Sequence, residues 1–267
     1  MILDLQLSPA QCTWSEYIDA VLAAEAAGFG TVWVLDHLSG VSFDGPTMLE
    51  CFTLLGALAT ATSTLRLGAL VANVANRSAG LLAVAASTVQ TVSEGRLHLG
   101  LGAGTSPRSS FAREQLALGI TPASTIAERH QRVVDALDLF DSMWSTDRDA
   151  EHWKGFPLPE HRPPVVLGVN SVRLAVIAGQ RTNGINIRAA SDKRSAVLAA
   201  AQAARPDDHR PWTTSVWARW DEDLLDPTHP LRVELASEGV DRLILSWFPP
   251  PDAKRIAAAA WANRPRA

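Results

Sequence analysis

A short apolar run, Thr31 to Leu35, leads directly into Asp36 and His37. An imidazole at such a position can take or give a proton near neutral pH, and the adjoining carboxylate can fix a neighbouring dipole. Two readings stand on the residues alone: proton chemistry, or a pair that merely caps the loop that follows. Small or polar residues also close the next apolar runs. They are Asn73 and Asn76, then Gly102-Ala103-Gly104-Thr105, then Gly168-Val169-Asn170-Ser171, then Asn186 and Arg188. Trp217, Trp220 and Trp247 close the last two runs. Polar groups followed by indoles suit a flat, conjugated ligand with a polar tail. His98 lies inside an apolar run and reads as structural, and His130 lies in a helical stretch at a position consistent with its inner face.

Other chemistries lack their residues. The glycines of Gly100 to Gly104 miss the third glycine of the dinucleotide spacing, and no P-loop signature occurs, so this segment reads as a tight strand exit. Gly168 to Ser171 opens straight into a helix, where backbone amides favour a phosphate without any lysine. The three lysines, Lys154, Lys193 and Lys254, all miss the ends of apolar runs, which disfavours a Schiff-base enzyme. Neither HxH, HExxH nor CxxC is present, so no metal site is expected, and there is no GxSxG elbow. A cofactor that brings its own chemistry fits what remains.

These residues need a scaffold that gathers strand ends. Apolar runs of four to seven residues alternate with Ala- and Leu-rich stretches of helical spacing. The expected strands are Ile2 to Leu7, Thr31 to Leu35, Leu65 to Val71, Arg96 to Leu101, Pro164 to Leu167, Gly184 to Ile187, Thr213 to Ala218 and Asp241 to Ser246. The expected helices are Trp14 to Ala27, Thr47 to Thr62, Ser78 to Ser93, Thr125 to Trp144, Ser171 to Gln180, Asp192 to Ala204, Pro230 to Ser237 and Asp252 to Ala262. Thr13 with Glu16 has the form of a capping box, and Ser124 or Thr125 lies near the cap of the long helix. Ser145 to His161 reads as an insertion loop. Eight right-handed strand–helix units close into a (β/α)8 TIM barrel, with a doubly wound open sheet as the competing arrangement. No linker divides the chain, so residues 1–267 are expected to form a single domain. In a barrel the site lies at the C-terminal ends of the strands.

Composition narrows the class. The chain has 267 residues, 47% of them hydrophobic and 19% charged, with a formal net charge of −4. Disorder is excluded by that balance. There is no basic stripe, so a nucleic-acid partner is not expected. No apolar run approaches the roughly 18 residues of a membrane span, and two cysteines, Cys12 and Cys51, are too few for a disulfide scaffold. A soluble cytoplasmic protein acting on a small molecule is the expectation.

The segments TVWVLDHL (Thr31 to Leu38), LRLGALVANVANRSAGLLAVAASTVQTVSEGRLHLGLGAG (Leu65 to Gly104), AERHQRVVDALDLFDSMW and PPVVLGVNSVRLAVIAGQRTNGINI (Pro163 to Ile187) resemble the bacterial-luciferase-like flavin and deazaflavin oxidoreductases. The resemblance runs from the first strand to about Ile187, and the family's last third is much shortened here. It implies the same (β/α)8 barrel. VLDHL and LVANVANR are most similar to the branch that uses the deazaflavin coenzyme F420. That likeness implies Asp36 and His37 beside the redox ring, as catalytic and cofactor-binding residues. It implies a non-proline cis peptide near Ala72 to Val74, with Asn73 and Val74 behind the ring. It also implies a phosphate-bearing tail held at Ala103-Gly104-Thr105 and at Gly168-Val169-Asn170-Ser171, and a homodimer.

One residue departs from the branch. Its sugar-phosphate dehydrogenases carry a glutamate after the strand-four glycines, where this chain has Thr105. That speaks against sugar-phosphate oxidation and leaves His37 as the remaining proton donor or acceptor, since no carboxylate at a strand end replaces the missing one. A mouth lined by Trp217, Trp220 and Trp247 favours a hydrophobic substrate. The expectation is therefore hydride transfer between coenzyme F420 and a small organic molecule. An FMN-dependent monooxygenase and a non-catalytic flavin- or deazaflavin-binding protein are the alternatives.

Overall fold

In the computed structural model, residues 1–207 and 209–259 are described. Eight parallel strands close into a barrel in sequence order: β1 (Ile2–Leu7), β2 (Thr31–Val34), β3 (Arg66–Asn73), β4 (Leu97–Gly102), β5 (Val165–Gly168), β6 (Gly184–Arg188), β7 (Thr213–Arg219) and β8 (Arg242–Trp247). The helices are α1 (Trp14–Ala26), α2 (Cys51–Ala61), α3 (Ala79–Val92), α4 (Ala112–Ala117), α5 (Ile126–Met143), α6 (Val172–Arg181), α7 (Arg194–Ala203), α8 (Pro230–Ser237) and α9 (Ala253–Ala258). Residues 260–262, included in the last expected helix, lie outside the described residues.

Local chemistry explains most of these boundaries. Thr13 and Glu16 form a reciprocal capping box on α1, and Thr125 and Glu128 form another on α5. Ser78 and Ser171 cap α3 and α6 through their hydroxyl groups. Among the elements that differ from the sequence expectation are α2 and α4. The helix expected from Thr47 begins at Cys51, because the Glu50 side chain accepts the Thr53 amide and stops the helix there. The connection after β4 contains α4, which was not expected at all.

Side chains alternate between the two faces of each strand. Leu3, Leu5 and Leu7 of β1, and Leu243 and Leu245 of β8, join the large apolar layer shared with the helices. The other face points into the barrel, where Trp33, Leu70 and Ile244 make a separate small cluster. Beneath it lies a polar plug. Arg242 grips Asp4 with two bonds of 2.8 and 2.7 Å, the Trp33 indole donates to the same carboxylate, and Thr31 accepts from Arg242. His98 completes this layer against Trp33 and Arg66. Burial, with Arg242 and Arg66 nearby, pushes its pKa down to about 3, so it is neutral and structural. A Cβ at Gly68 would come within 2.4 Å of the Trp33 ring, so only glycine leaves room for the indole.

Asp4 has no solvent exposure and Arg242 only 8%. Removing one partner of such a pair strands a buried charge. Asp4→Asn is expected to lower stability by about 3–5 kcal/mol in denaturant unfolding, with part of the loss restored in Asp4→Asn/Arg242→Met. An unfolding midpoint within error of the parent protein would show that the plug does not bear on stability.

Candidate active site

The C-terminal ends of the strands enclose a cavity of about 640 Å³, within the ~300–1,000 Å³ usual for small-molecule sites. Gln6 forms its floor: the amide donates to the Leu70 carbonyl at 2.6 Å and accepts from the Ser246 hydroxyl at 2.7 Å. The Leu70–Val71 peptide is cis, and the pairing of β3 with β4 shifts register between Ala69 and Ala72. The cis bond thus falls before the Ala72 to Val74 segment where it was expected, because the irregularity lies within β3 and not at its exit. Val71, not Val74, lines the cavity, and Val74 packs into the outer apolar layer. Gly102 and Gly168 accommodate Val71: a Cβ on either would approach its methyl groups to 2.4 and 2.8 Å.

Asp36 and His37 both line the cavity but have different settings. The Asp36 carboxylate is fully enclosed. Arg77 binds it with two 2.8 Å bonds, the Asn73 amide donates at 2.8 Å, and Asn76 bonds both its side chain and its carbonyl. A carboxylate so occupied ties the exits of β2 and β3 together, and no face of it is open to a substrate. That geometry ties Asp36 to Arg77, Asn73 and Asn76, and in Asp36→Ala the Arg77 guanidinium would keep Glu50, at 2.9 Å, as its remaining carboxylate partner. His37 is different. Its side chain is 23% exposed, and its Nδ1 meets Glu114 Oε1 at 2.9 Å. The ring is flanked by Phe43 and Phe111, with centroids 4.8 and 5.1 Å away. Nε2 has no protein partner among the described residues.

Glu114 is the residue that reasoning from strand ends missed. It sits on α4, in a stretch taken as a polar connection; the helix-forming run Ala112 to Leu118 was the available signal. Its second oxygen accepts the Leu38 and Ser39 amides at 3.0 and 3.1 Å. Burial acts to raise its pKa, but the His37 hydrogen bond and charge and the two amides outweigh this and hold it below the usual glutamate range. The neighbouring Gln115 donates to Asn76, so consecutive residues of α4 reach two different strand exits.

The expected tail segments divide. Ala103, Gly104, Thr105, Gly168, Val169 and Asn170 line the cavity, as does Asn73. Ser171 does not, since its hydroxyl caps α6. Gly104 has φ of +77°, a conformation natural to glycine. Arg129 on α5 and Asn186 also line the cavity. Arg129 went unnoticed because cations were sought only at strand ends. Of the three indoles, only Trp217 lines the cavity. Trp247 follows the inward Ser246 and so points outward, where it packs against Trp220 within the helical layer, the two rings tilted with centroids 4.6 Å apart. The expectation that Trp220 and Trp247 line the substrate pocket is therefore corrected. Phe43, Phe111 and Phe248 provide the remaining aromatic walls.

The arrangement resembles known proteins in sequence and fold. The F420-dependent hydroxymycolic acid dehydrogenase of Mycobacterium tuberculosis is 23% identical over 274 residues, covering 90% of this chain and 74% of that protein. The F420-dependent glucose-6-phosphate dehydrogenase of Nakamurella multipartita is 27% identical over 179 residues, covering 64% of this chain and 51% of that protein. The chain thus spans about half the length of that relative. Among solved structures, an F420-dependent secondary alcohol dehydrogenase in complex with an F420-acetone adduct superposes with a TM-score of 0.73 at 16% identity, covering 99% of this chain and 100% of that one. The sequence profile described as luciferase-like monooxygenase matches residues 3–218, the whole barrel through most of β7, and by that match the chain belongs to this family.

Proposed function

We propose that this protein is an oxidoreductase that exchanges a hydride between coenzyme F420 and a small, largely apolar organic substrate, with His37 carrying the accompanying proton. The observation that supports this most is the setting of His37: one ring nitrogen is held by a carboxylate and the other has no protein partner among the described residues, in a cavity walled by Phe43, Phe111, Phe248 and Trp217. The relatives named F420-dependent agree with it.

The residues present suit such a cofactor. Leu70 and Val71 on one side, with Gln6, Asn186 and Trp217, offer a slot with both apolar faces and amide partners for a heteroaromatic ring. Thr105, Asn170 and Arg129 offer neutral donors and one cation for an anionic tail. Bound there, coenzyme F420 would supply two-electron hydride chemistry, leaving one proton per turnover for the protein to carry. His37 is the group placed for that task. In substrate oxidation its Nε2 would accept the proton that leaves the substrate oxygen, and in reduction it would return it. Thr105 stands where the sugar-phosphate enzymes have a glutamate, and the aromatic walls favour an alcohol or carbonyl compound without a phosphate.

His37→Ala is expected to retain the far-ultraviolet dichroism of the parent and its affinity for coenzyme F420. Its turnover with simple secondary alcohols, followed by deazaflavin absorbance, is expected to fall by about 10²–10⁴-fold; unchanged turnover would remove His37 from the reaction. Asn170→Asp adds a like charge at the tail segment. Calorimetric titration is expected to show coenzyme F420 binding at least about tenfold weaker, or ~1.4 kcal/mol. Parental affinity in that variant would place the tail elsewhere, and a parent protein that binds FMN but not coenzyme F420 would overturn the cofactor assignment.

A further inference from the structure

The carboxylate absent from position 105 has a counterpart in the cavity, supplied by a different element. Glu114 lies nine residues further along, on α4, and its side chain is only 7% exposed. Its two oxygens have separate duties. Oε2 is committed to two backbone donors, the amides of Leu38 and Ser39, and Oε1 faces His37 Nδ1 at 2.9 Å. Backbone amides only donate, so Oε2 must remain an acceptor. Held as a carboxylate, Glu114 has no proton to offer Nδ1 either. The imidazole must therefore be the donor in that bond.

We propose that Glu114 is the positioning residue for His37: it holds the neutral imidazole with its proton on Nδ1 and so presents Nε2 as a proton acceptor in the cavity. The proposal rests on the proton role assigned to His37 above, but the tautomer itself can be measured without cofactor or substrate. Phe43 and Phe111 flank the ring and leave it little freedom to turn away from Glu114. The other charged side chains lining the cavity are Asp36, neutralised by Arg77, and Arg129 on α5. Neither has a hydrogen bond to the ring.

The same division of duties dictates what glutamine would do. In Glu114→Gln the single carbonyl oxygen is needed by the Leu38 and Ser39 amides, so the NH₂ group turns to His37. Nδ1 must then accept, and the ring proton moves to Nε2. A near-isosteric change thus inverts the tautomer while keeping the loop bonded.

The test is nitrogen-15 NMR of the histidine rings in cofactor-free protein at about pH 9, above the ordinary histidine range, with His37 assigned by its loss in His37→Ala. The parent is expected to show the Nδ1–H form and Glu114→Gln the Nε2–H form. An Nε2–H ring for His37 in the parent, or an unchanged Nδ1–H ring in Glu114→Gln, would overturn the proposal. With coenzyme F420 and secondary alcohols, Glu114→Gln is expected to lower kcat at least tenfold with little change in KM. Combining it with His37→Ala is expected to cost nothing more than His37→Ala alone. An inverted tautomer with undiminished turnover would sustain the positioning assignment and overturn instead the proton role of His37.

Discussion

A buried ion pair, Asp36 with Arg77, holds the site together. Two charges taken out of water are tolerated only where geometry and extra hydrogen bonds compensate for lost hydration. Here the guanidinium is bidentate, and the remaining lone pairs of the carboxylate take the Asn73 amide and the Asn76 side chain. The pair therefore fixes the relative position of two strand exits. From Asn76 the constraint passes through Gln115 to α4, and from α4 through Glu114 back to the residues just beyond Asp36. His37 is set by a closed circuit of hydrogen bonds that begins at its own neighbour in sequence.

That circuit also accounts for α4. A six-residue helix is far below the ~12–15 residues at which an isolated helix becomes marginally stable, and α4 has no side-chain cap at its N-terminus. Its order comes from tertiary contacts, with buried Ala112 and Gln115 on one side and Glu114 on another. Structure and site are the same interaction here. The helix persists because its glutamate is bonded to the loop after β2, and that loop is shaped because the helix is there.

Legibility in the sequence follows the range of the determining interaction. The eight strands, the capping boxes of α1 and α5 and the cluster of strand ends were all readable, because apolar runs, caps and glycines act over a few residues. What was not readable depended on partners far along the chain. Glu114 meets residues 75 to 77 positions away, and nothing near it announces that. Trp247 was misplaced for a subtler reason: whether a strand's last residue faces in or out depends on its phase, and the phase of β8 is set by the inward bonds of Arg242 and Ser246. The shift within β3 likewise put Val71 in the cavity where Val74 was expected.

The polar plug has a consequence for traffic through the protein. Asp4, Trp33, His98 and Arg242 fill the barrel below Gln6, and all four are buried. Among the described residues the barrel interior below the cavity is thus filled, and the cavity faces the loops at the strand ends. A molecule seated against Gln6 and Val71 therefore enters and leaves on the loop side. One-sided access follows from the filled floor alone.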